Sequence, residues 1–317
     1  EEGWRYVQGD KNARRPPELL TRDHVARCIM REVKAGRGSP HGGVFLDIAW
    51  IKERIPNAPE HIRKKLPSMY HQFKELAGLD ITTDPMEIGP TTHYVMGGVR
   101  VDGDTQMSSL PGLFAAGECA AGINGANRLG GNSLSDLLVF GKRAGEHAAI
   151  FAKANGAVSI DERQVEAAVK RSLEPFERAN AQENPFKVQQ DLQGMMQDLV
   201  GIVRVEDEMR RALTGLEGLK KRAEQVGVTG HREFNTGWHA SQDLGNLLMV
   251  SESIARSAIE RKESRGGHFR QDYPEKDPAY ATFNIVVKRG ADGEMQVSRA
   301  SIAPMPAELQ QVIEENK

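Results

Sequence analysis

The sequence predicts an α/β fold with an α-helical C-terminal region, and three observations carry that prediction. Short extended runs separated by glycine-rich turns fill the first part of the chain, a glycine-studded amphipathic helix follows them, and from Asp161 to about Glu260 Leu, Met and Val recur at helical spacing among many charges. The 317 residues are enough for two or three compact units, each with its own core.

Taken in order, Pro16 and Pro17 end an irregular polar entry. Thr21 can then cap a helix whose Val25, Ile29 and Val33 recur every four residues, stopped by Gly36 and Gly38. A strand is expected at Val44 to Ile48, followed by a charged helical region from Pro59 to Leu79. The run from Pro90 to Gly103 alternates like a strand and turns at Asp102 and Gly103, and LPGLFAAGE reads as a buried strand ending in Glu118. In RLGGNSLSDLLVFGKRAG, Asn132 and Ser133 are expected helix caps, with Leu134, Leu137, Leu138 and Gly141 on one face. Four helical segments between Asp161 and Glu260 predict an antiparallel bundle, with Met195 and Met196 filling its core. From Glu263 onward the chain is loop-rich, with a strand candidate in FNIVVKRG and a polar tail.

Bulk composition excludes several classes. A formal charge of −2 from 42 basic and 44 acidic residues gives no net field for nucleic acid or anionic lipid, and no local basic patch stands out. Cys28 and Cys119 are far apart and outside any CxxC spacing, which excludes a disulfide framework, a zinc ribbon and a chain-borne iron–sulfur cluster. A membrane span needs roughly 18 apolar residues, and the longest apolar runs are far shorter. The first residues lack the basic start and apolar middle of a signal peptide and carry no initiator Met, so position 1 is not expected to be the biological start.

The segment from His93 to Ala149 brings a histidine, an arginine, a glutamate and a glycine-dense helix start into a short span, a combination that suits a redox cofactor beside a dicarboxylate. A strand ending in Gly117 and Glu118 places a carboxylate where ribose hydroxyls are held at a sheet edge. The helix starting at Ser133 offers backbone N–H groups and the positive end of a dipole. Arg128 can give a bidentate fork to one carboxylate, and His93 can donate to the other. The bland readings are a structural Glu118, a satisfied His93, glycines that serve helix-on-sheet packing, and an Arg22 that pairs with Asp23 at a helix start. No GxGxxG phosphate loop occurs in the chain, which therefore reads as the C-terminal part of a larger protein.

Read together, LLTRDHVARCIMREVKAGRG, GPTTHYVMGGV, LPGLFAAGE, NGANRLGGNSLSDLLVFGKRAG, NPFKVQQDLQ and KESRGGHFRQDYP resemble the flavoprotein subunit of succinate dehydrogenases and fumarate reductases, in the right order and over most of the chain. L-aspartate oxidases share the scaffold and the HY, GANRL and ESRG motifs, and SDLLVFG after GGNSL tilts the resemblance toward the dehydrogenases.

The resemblance implies part of a doubly wound FAD-binding domain and the end of a mixed α/β capping domain, then a helical bundle. Its boundaries are expected at 1–88 (capping), 89–157 (returning FAD-binding part), 158–262 (bundle) and 263–317 (C-terminal extension). By position it implies that Arg22 passes a proton to or from the substrate carbon, that His93 and Arg128 bind substrate carboxylates, and that Glu118, Ser133 and Leu134 contact FAD. Ile123 and Asn124 precede GANR where many members carry a histidine, so the surroundings of the flavin are expected to differ there. KESRGGHFRQDYP is expected near the cofactor domain and the neighbouring iron–sulfur subunit, or as a loop anchored by ion pairs. The implied partners are an iron–sulfur subunit, membrane anchor subunits reached indirectly, and a small dicarboxylate, with no nucleic acid. The implied place is the cytoplasmic face of a bacterial inner membrane, or the matrix face of a mitochondrion. An L-aspartate oxidase and a non-catalytic scaffold that kept the fold are the competing readings.

Overall fold

The computed structural model describes residues 22–178 and 181–315. The expected Thr21 cap and the Pro16–Pro17 break lie outside those residues. The chain divides into two compact units, residues 1–94 and residues 95–317.

In the first unit, α1 (Arg22–Glu32) runs into a wide turn, Val33–Arg37, where Gly36 reaches φ +76°. That left-handed conformation suits glycine and ends the helix, as the sequence predicts. Arg37 reaches back to the buried Glu32 through hydrogen bonds of 2.6 and 3.0 Å. The expected strand shortens to β1 (Val44–Leu46), which pairs antiparallel with β2 (Met86–Ile88). Gly43 must be glycine here, because a Cβ would run into the Ile88 carbonyl. The charged helical region is two helices, α2 (Ala58–Lys65) and α3 (Pro67–Ala77), broken at Leu66. Pro67 lacks an N–H for the ladder and pushes its predecessor out of the helical region, so one helix cannot continue through it. Ile62, Ile81 and Met86 form the core, with Ile48, Tyr70 and Phe73 packed around them.

In the second unit, the expected strand in LPGLFAAGE is not continuous. Phe114 makes a single antiparallel bridge to Met107, Ala120 a single parallel bridge to Val99, and Glu118 sits in a helical turn, Gly117–Cys119. Gly112 (φ +86°) and Gly117 (φ +76°) turn the backbone on either side of the apolar run, so its extended pairing stops. The turn at Asp102 is as expected: its side chain accepts from the N–H groups of Asp104 and Thr105 and from the Thr105 hydroxyl.

The glycine-studded helix is α4 (Asn132–Asn155). Its N-cap is Gly131 at φ +87°, not the expected Asn132 or Ser133, which lie inside its first turn. The chain enters from a left-handed position that only glycine adopts cheaply, so the polar side chains are one and two residues too late to cap. Leu134, Leu137 and Leu138 share a face that is exposed in this chain.

The bundle consists of α5 (Glu162–Glu177), α6 (Pro185–Val200), α7 (Glu206–Ala223) and α8 (Thr236–Glu260). Three of the helices start as the sequence specifies. Asp161 accepts from the Arg163 N–H, Asn184 from Phe186 and Lys187, and Asn235 from Trp238. Val188, Leu192, Leu216, Leu219, Leu244 and Leu248 form the main core where α6, α7 and α8 meet, with Met195 and Met196 packed against it as predicted. Each such fully buried side chain stabilises the fold by about 1.5–3 kcal/mol. Toward the other end of these helices the core is Val200, Met209, Ala212, Ala255 and Ala258, where the three small alanines let the helices approach closely. After the bundle, β3 (Phe283–Arg289) and β4 (Met295–Ser301) form a hairpin, and the polar tail contains a helix that sequence reading missed, α9 (Ala307–Glu315).

Candidate functional site

The loop from Gly122 to Gly131 carries Arg128 to the start of α4. Arg128 is half-buried, and its Nη1 donates to the Ser133 hydroxyl at 3.3 Å, so the structure brings these two expected site residues together. Gly122 (φ +109°), Gly125 (φ +53°) and Gly131 (φ +87°) bend the loop, and a Cβ at any of them would meet nothing within 4 Å. The backbone here is open to an incoming group, and the N-terminal end of α4 faces negative charge favourably.

Glu118 is exposed, and one of its carboxylate oxygens accepts the Val95 N–H at 3.0 Å. Its turn is pressed against α4, since a Cβ on Gly117 would run into the Leu137 side chain. Leu134, in the first turn of α4, is 68% exposed. Asp136 was not expected: it is buried although the leucines beside it on α4 are exposed, and neither carboxylate oxygen has a hydrogen-bond partner among the described residues. An acid inside the apolar run LSDLL was the available signal.

Arg22 and His93 belong to the first unit. Arg22 is the first residue of α1 and is exposed. Its expected pairing with Asp23 is replaced by an ion pair one turn along, Asp23 to Arg27 at 2.8 Å. Helix geometry explains this, because residues four apart face each other and adjacent residues do not. His93 is exposed in an irregular segment after β2.

The KESRGGHFRQDYP segment is an ion-paired anchor, one of its two expected roles. The Arg270 side chain is fully buried and donates two 2.7 Å hydrogen bonds to Asp272 and others to the Ala258 and Ile259 carbonyls at the end of α8. Asp272 accepts the Glu206 N–H at the start of α7, and Arg204 donates to the Val200 and Gly201 carbonyls that end α6. Three helix ends are thereby satisfied by one cluster. Glu263 is equally buried; burial opposes its charge, but hydrogen bonds from Arg265, the Asp277 N–H and Arg261 outweigh it and hold the carboxyl down at about 2.

His268 Nδ1 lies 2.9 Å from Arg204 Nη1, and its Nε2 lies 3.1 Å from the Arg261 carbonyl. A guanidinium only donates and a carbonyl only accepts, so the imidazole is neutral with its proton on Nε2. Burial and the Arg204 charge push it down to about 4, from the ordinary value of 6.5. The unfolded chain therefore takes up a proton near pH 6.5 that the folded protein refuses until pH 4. Stability contributed by this site is complete above about pH 6.5 and falls by on the order of 3 kcal/mol as pH drops toward 4. Glu263 adds a loss of the same sign between pH 4.5 and 2. Urea midpoints measured from pH 7 to 4 are expected to fall steeply, and a His268→Gln variant, which keeps an acceptor and a donor, is expected to flatten that slope. Equal slopes would remove His268 from the account.

Comparison with known proteins follows the same geography. The FAD binding domain model matches residues 1–134, and the fumarate reductase flavoprotein C-terminal model matches residues 189–314. An uncharacterised FAD-dependent oxidoreductase of Methanocaldococcus jannaschii is 38% identical over 86% of this chain and 47% of its own length. The succinate dehydrogenase flavoprotein subunit of Coxiella burnetii is 37% identical over 83% of this chain and 46% of its own. The solved structure of Mycobacterium smegmatis Sdh1 in complex with UQ1 superimposes with a TM-score of 0.84 at 52% identity, covering 95% of this chain and 50% of that one. The chain thus spans about half the length of the curated relatives it matches.

Proposed function

The chain belongs to the succinate dehydrogenase and fumarate reductase flavoproteins, and on that premise we propose that it supplies substrate-binding and cofactor-binding residues to an enzyme that oxidises succinate to fumarate. The cofactor is FAD, which when bound accepts the hydride that leaves one methylene of succinate while a proton leaves the adjacent carbon. Fumarate reduction is the reverse of the same step and draws equal support from the match to the fumarate reductase flavoprotein C-terminal model.

The residues of this chain fit such a cofactor. Glycines that leave open space beside the start of α4 admit a planar group against the backbone, and the exposed Glu118 carboxylate can take ribose hydroxyls. Ser133 and Leu134 would hold the ring at the helix N-terminus, where the dipole stabilises negative charge.

Arg128 would bind one substrate carboxylate in a bidentate fork, oriented by Ser133, and His93 would bind the second. Clamping both ends of a four-carbon diacid fixes the reacting C–H bond, which lowers the barrier by positioning. Arg22 would take the proton from the adjacent carbon. A charged guanidinium carries donors and no acceptor, so this role needs a carboxylate relay to pass the proton on. Electrons would leave to a separate iron–sulfur subunit, a reading supported by the likeness to flavoprotein subunits of succinate dehydrogenase and fumarate reductase. Attachment to the cytoplasmic face of a bacterial membrane, or the matrix face of a mitochondrial one, would run through partner subunits; no described helix is long and apolar enough to cross a bilayer.

The observation that carries this reading is Arg128 seated beside Ser133 at an open, glycine-bordered helix start. Anaerobic mixing of the flavin-loaded protein with succinate is expected to bleach the flavin, and L-aspartate is expected to leave it oxidised. Bleaching by aspartate alone would replace the dehydrogenase with an oxidase of the same scaffold.

A further inference from the structure

The Arg265–His268 hairpin grips the loop that carries Arg128. The Gly267 N–H donates to the Ala126 carbonyl at 2.9 Å, two residues before Arg128. Gly266 turns at φ +59°, and a Cβ on it would lie 2.6 Å from the Ala126 carbonyl carbon, 2.9 Å from the Ala126 Cβ and closer still to the carbonyl oxygen. A Cβ on Gly267 would press on Met96 at 3.1 Å. Only bare backbone lets the two segments approach this closely.

The two sides of this contact differ in rigidity. On one side, Arg265 and His268 bridge each other, Arg265 is ion-paired with the fully buried Glu263 at 2.8 Å, and His268 is wedged between Arg204 and the Arg261 carbonyl. On the other side, residues 122–131 form no helix or strand.

We propose that Gly266 is a positioning residue for substrate binding: the anchored hairpin fixes Ala126, and through it the reach of the Arg128 guanidinium toward a substrate carboxylate. The inference rests on the reading of Arg128 as a carboxylate ligand. Admitting a methyl group at Gly266 requires Ala126 to give way, and Arg128 lies two residues along the same loop. Misplacing a substrate-positioning group by about 1 Å can cost about a hundredfold.

Three variants of the flavin-loaded protein test this. Gly266→Ala adds the clash. Gly293→Ala is the control: Gly293 is also left-handed, at φ +85°, in the turn between β3 and β4, but a Cβ there meets only the Arg289 side chain at 3.6 Å or more. Arg128→Ala removes the ligand itself. The readouts are the succinate dissociation constant by flavin titration, KM and kcat separately, the melting temperature, and hydrogen exchange of residues 122–128.

Gly266→Ala is expected to weaken succinate binding by about tenfold or more, raise KM more than it lowers kcat, and speed exchange in the loop. Gly293→Ala is expected to lose comparable melting temperature with an unchanged dissociation constant. A Gly266→Ala protein that matches Gly293→Ala in affinity overturns the positioning role. Should Gly266→Ala not fold, Ala126→Gly probes the contact from the loop side by deleting the methyl that faces Gly266. A severalfold loss of affinity supports the role and unchanged affinity overturns it. Arg128→Ala is expected to lose about tenfold to a hundredfold in succinate affinity, the worth of a charged hydrogen-bond pair. Loss in Arg128→Ala without loss in Gly266→Ala overturns only the positioning role. Unchanged affinity in Arg128→Ala overturns the carboxylate reading, and the positioning role with it.

Discussion

Replacing Arg22 by lysine is expected to leave the flavin content of the protein unchanged and to lower succinate oxidation on the order of a thousandfold, the usual worth of a group that moves a proton in the transition state. Arg22 is the first residue of α1, and its position in the helix does not depend on its guanidinium, because the neighbouring ion pair runs from Asp23 to Arg27. Lysine keeps the positive charge and is a comparable helix former, so neither the fold nor the long-range attraction of a dicarboxylate should suffer. What lysine lacks is the planar fork of donors that can face a substrate carbon and a relay carboxylate together. Stopped-flow flavin reduction, with the flavin-to-protein ratio measured alongside, reads the two effects separately. Turnover within tenfold of the parent would move the proton carrier to another residue.

Arg270→Ala is expected to cost about 2–5 kcal/mol of stability, because it leaves the Ala258 and Ile259 carbonyls without their donor and empties a fully shielded site. Its guanidinium joins Asp272, Glu206 and the last carbonyls of α8, and its side chain is completely shielded from water. Without it, Asp272 keeps its hold on the first turn of α7, but nothing ties that turn to the last carbonyls of α8. The double variant Arg270→Met with Asp272→Leu is expected to lose at least as much as Arg270→Ala, since the carbonyls at the end of α8 stay unpaired and the Glu206 N–H loses its acceptor as well. Chemical denaturation of the three proteins decides the matter, and a loss below about 1 kcal/mol in Arg270→Ala would mean that water replaces the guanidinium.

Much of the architecture was legible in the sequence where local physics decides it. The bundle helices carry side-chain caps at Asp161, Asn184 and Asn235, and core positions such as Val188 and Leu192 or Leu244 and Leu248 stand one turn apart, so spacing alone located them. The misreadings fall where glycine conformation overrides pattern. LPGLFAAGE has the composition of a buried strand, yet Gly112 and Gly117 turn it into single bridges, and Gly131 takes the capping position that Asn132 and Ser133 seemed to announce. For the site, motif order pointed to Arg128 and Ser133, which the fold brings together. The partners of that loop were not readable, because Gly266 and Ala126 are separated by more than a hundred residues and carry no side-chain chemistry to suggest a contact. Asp136 was passed over although the acid inside LSDLL marked it, because a helix that reads as amphipathic accommodates an acid on its polar face.

The enclosure of His268 bears on how enzymatic rates would respond to acidity. Between about pH 5 and 8, where an ordinary histidine changes charge, this one stays uncharged, held by Arg204 on one nitrogen and by a carbonyl on the other. Any inflection in a rate profile across that interval must then originate in a different ionising group. A nitrogen-15 spectrum of the imidazole should show a single tautomer whose resonances do not move over the whole range.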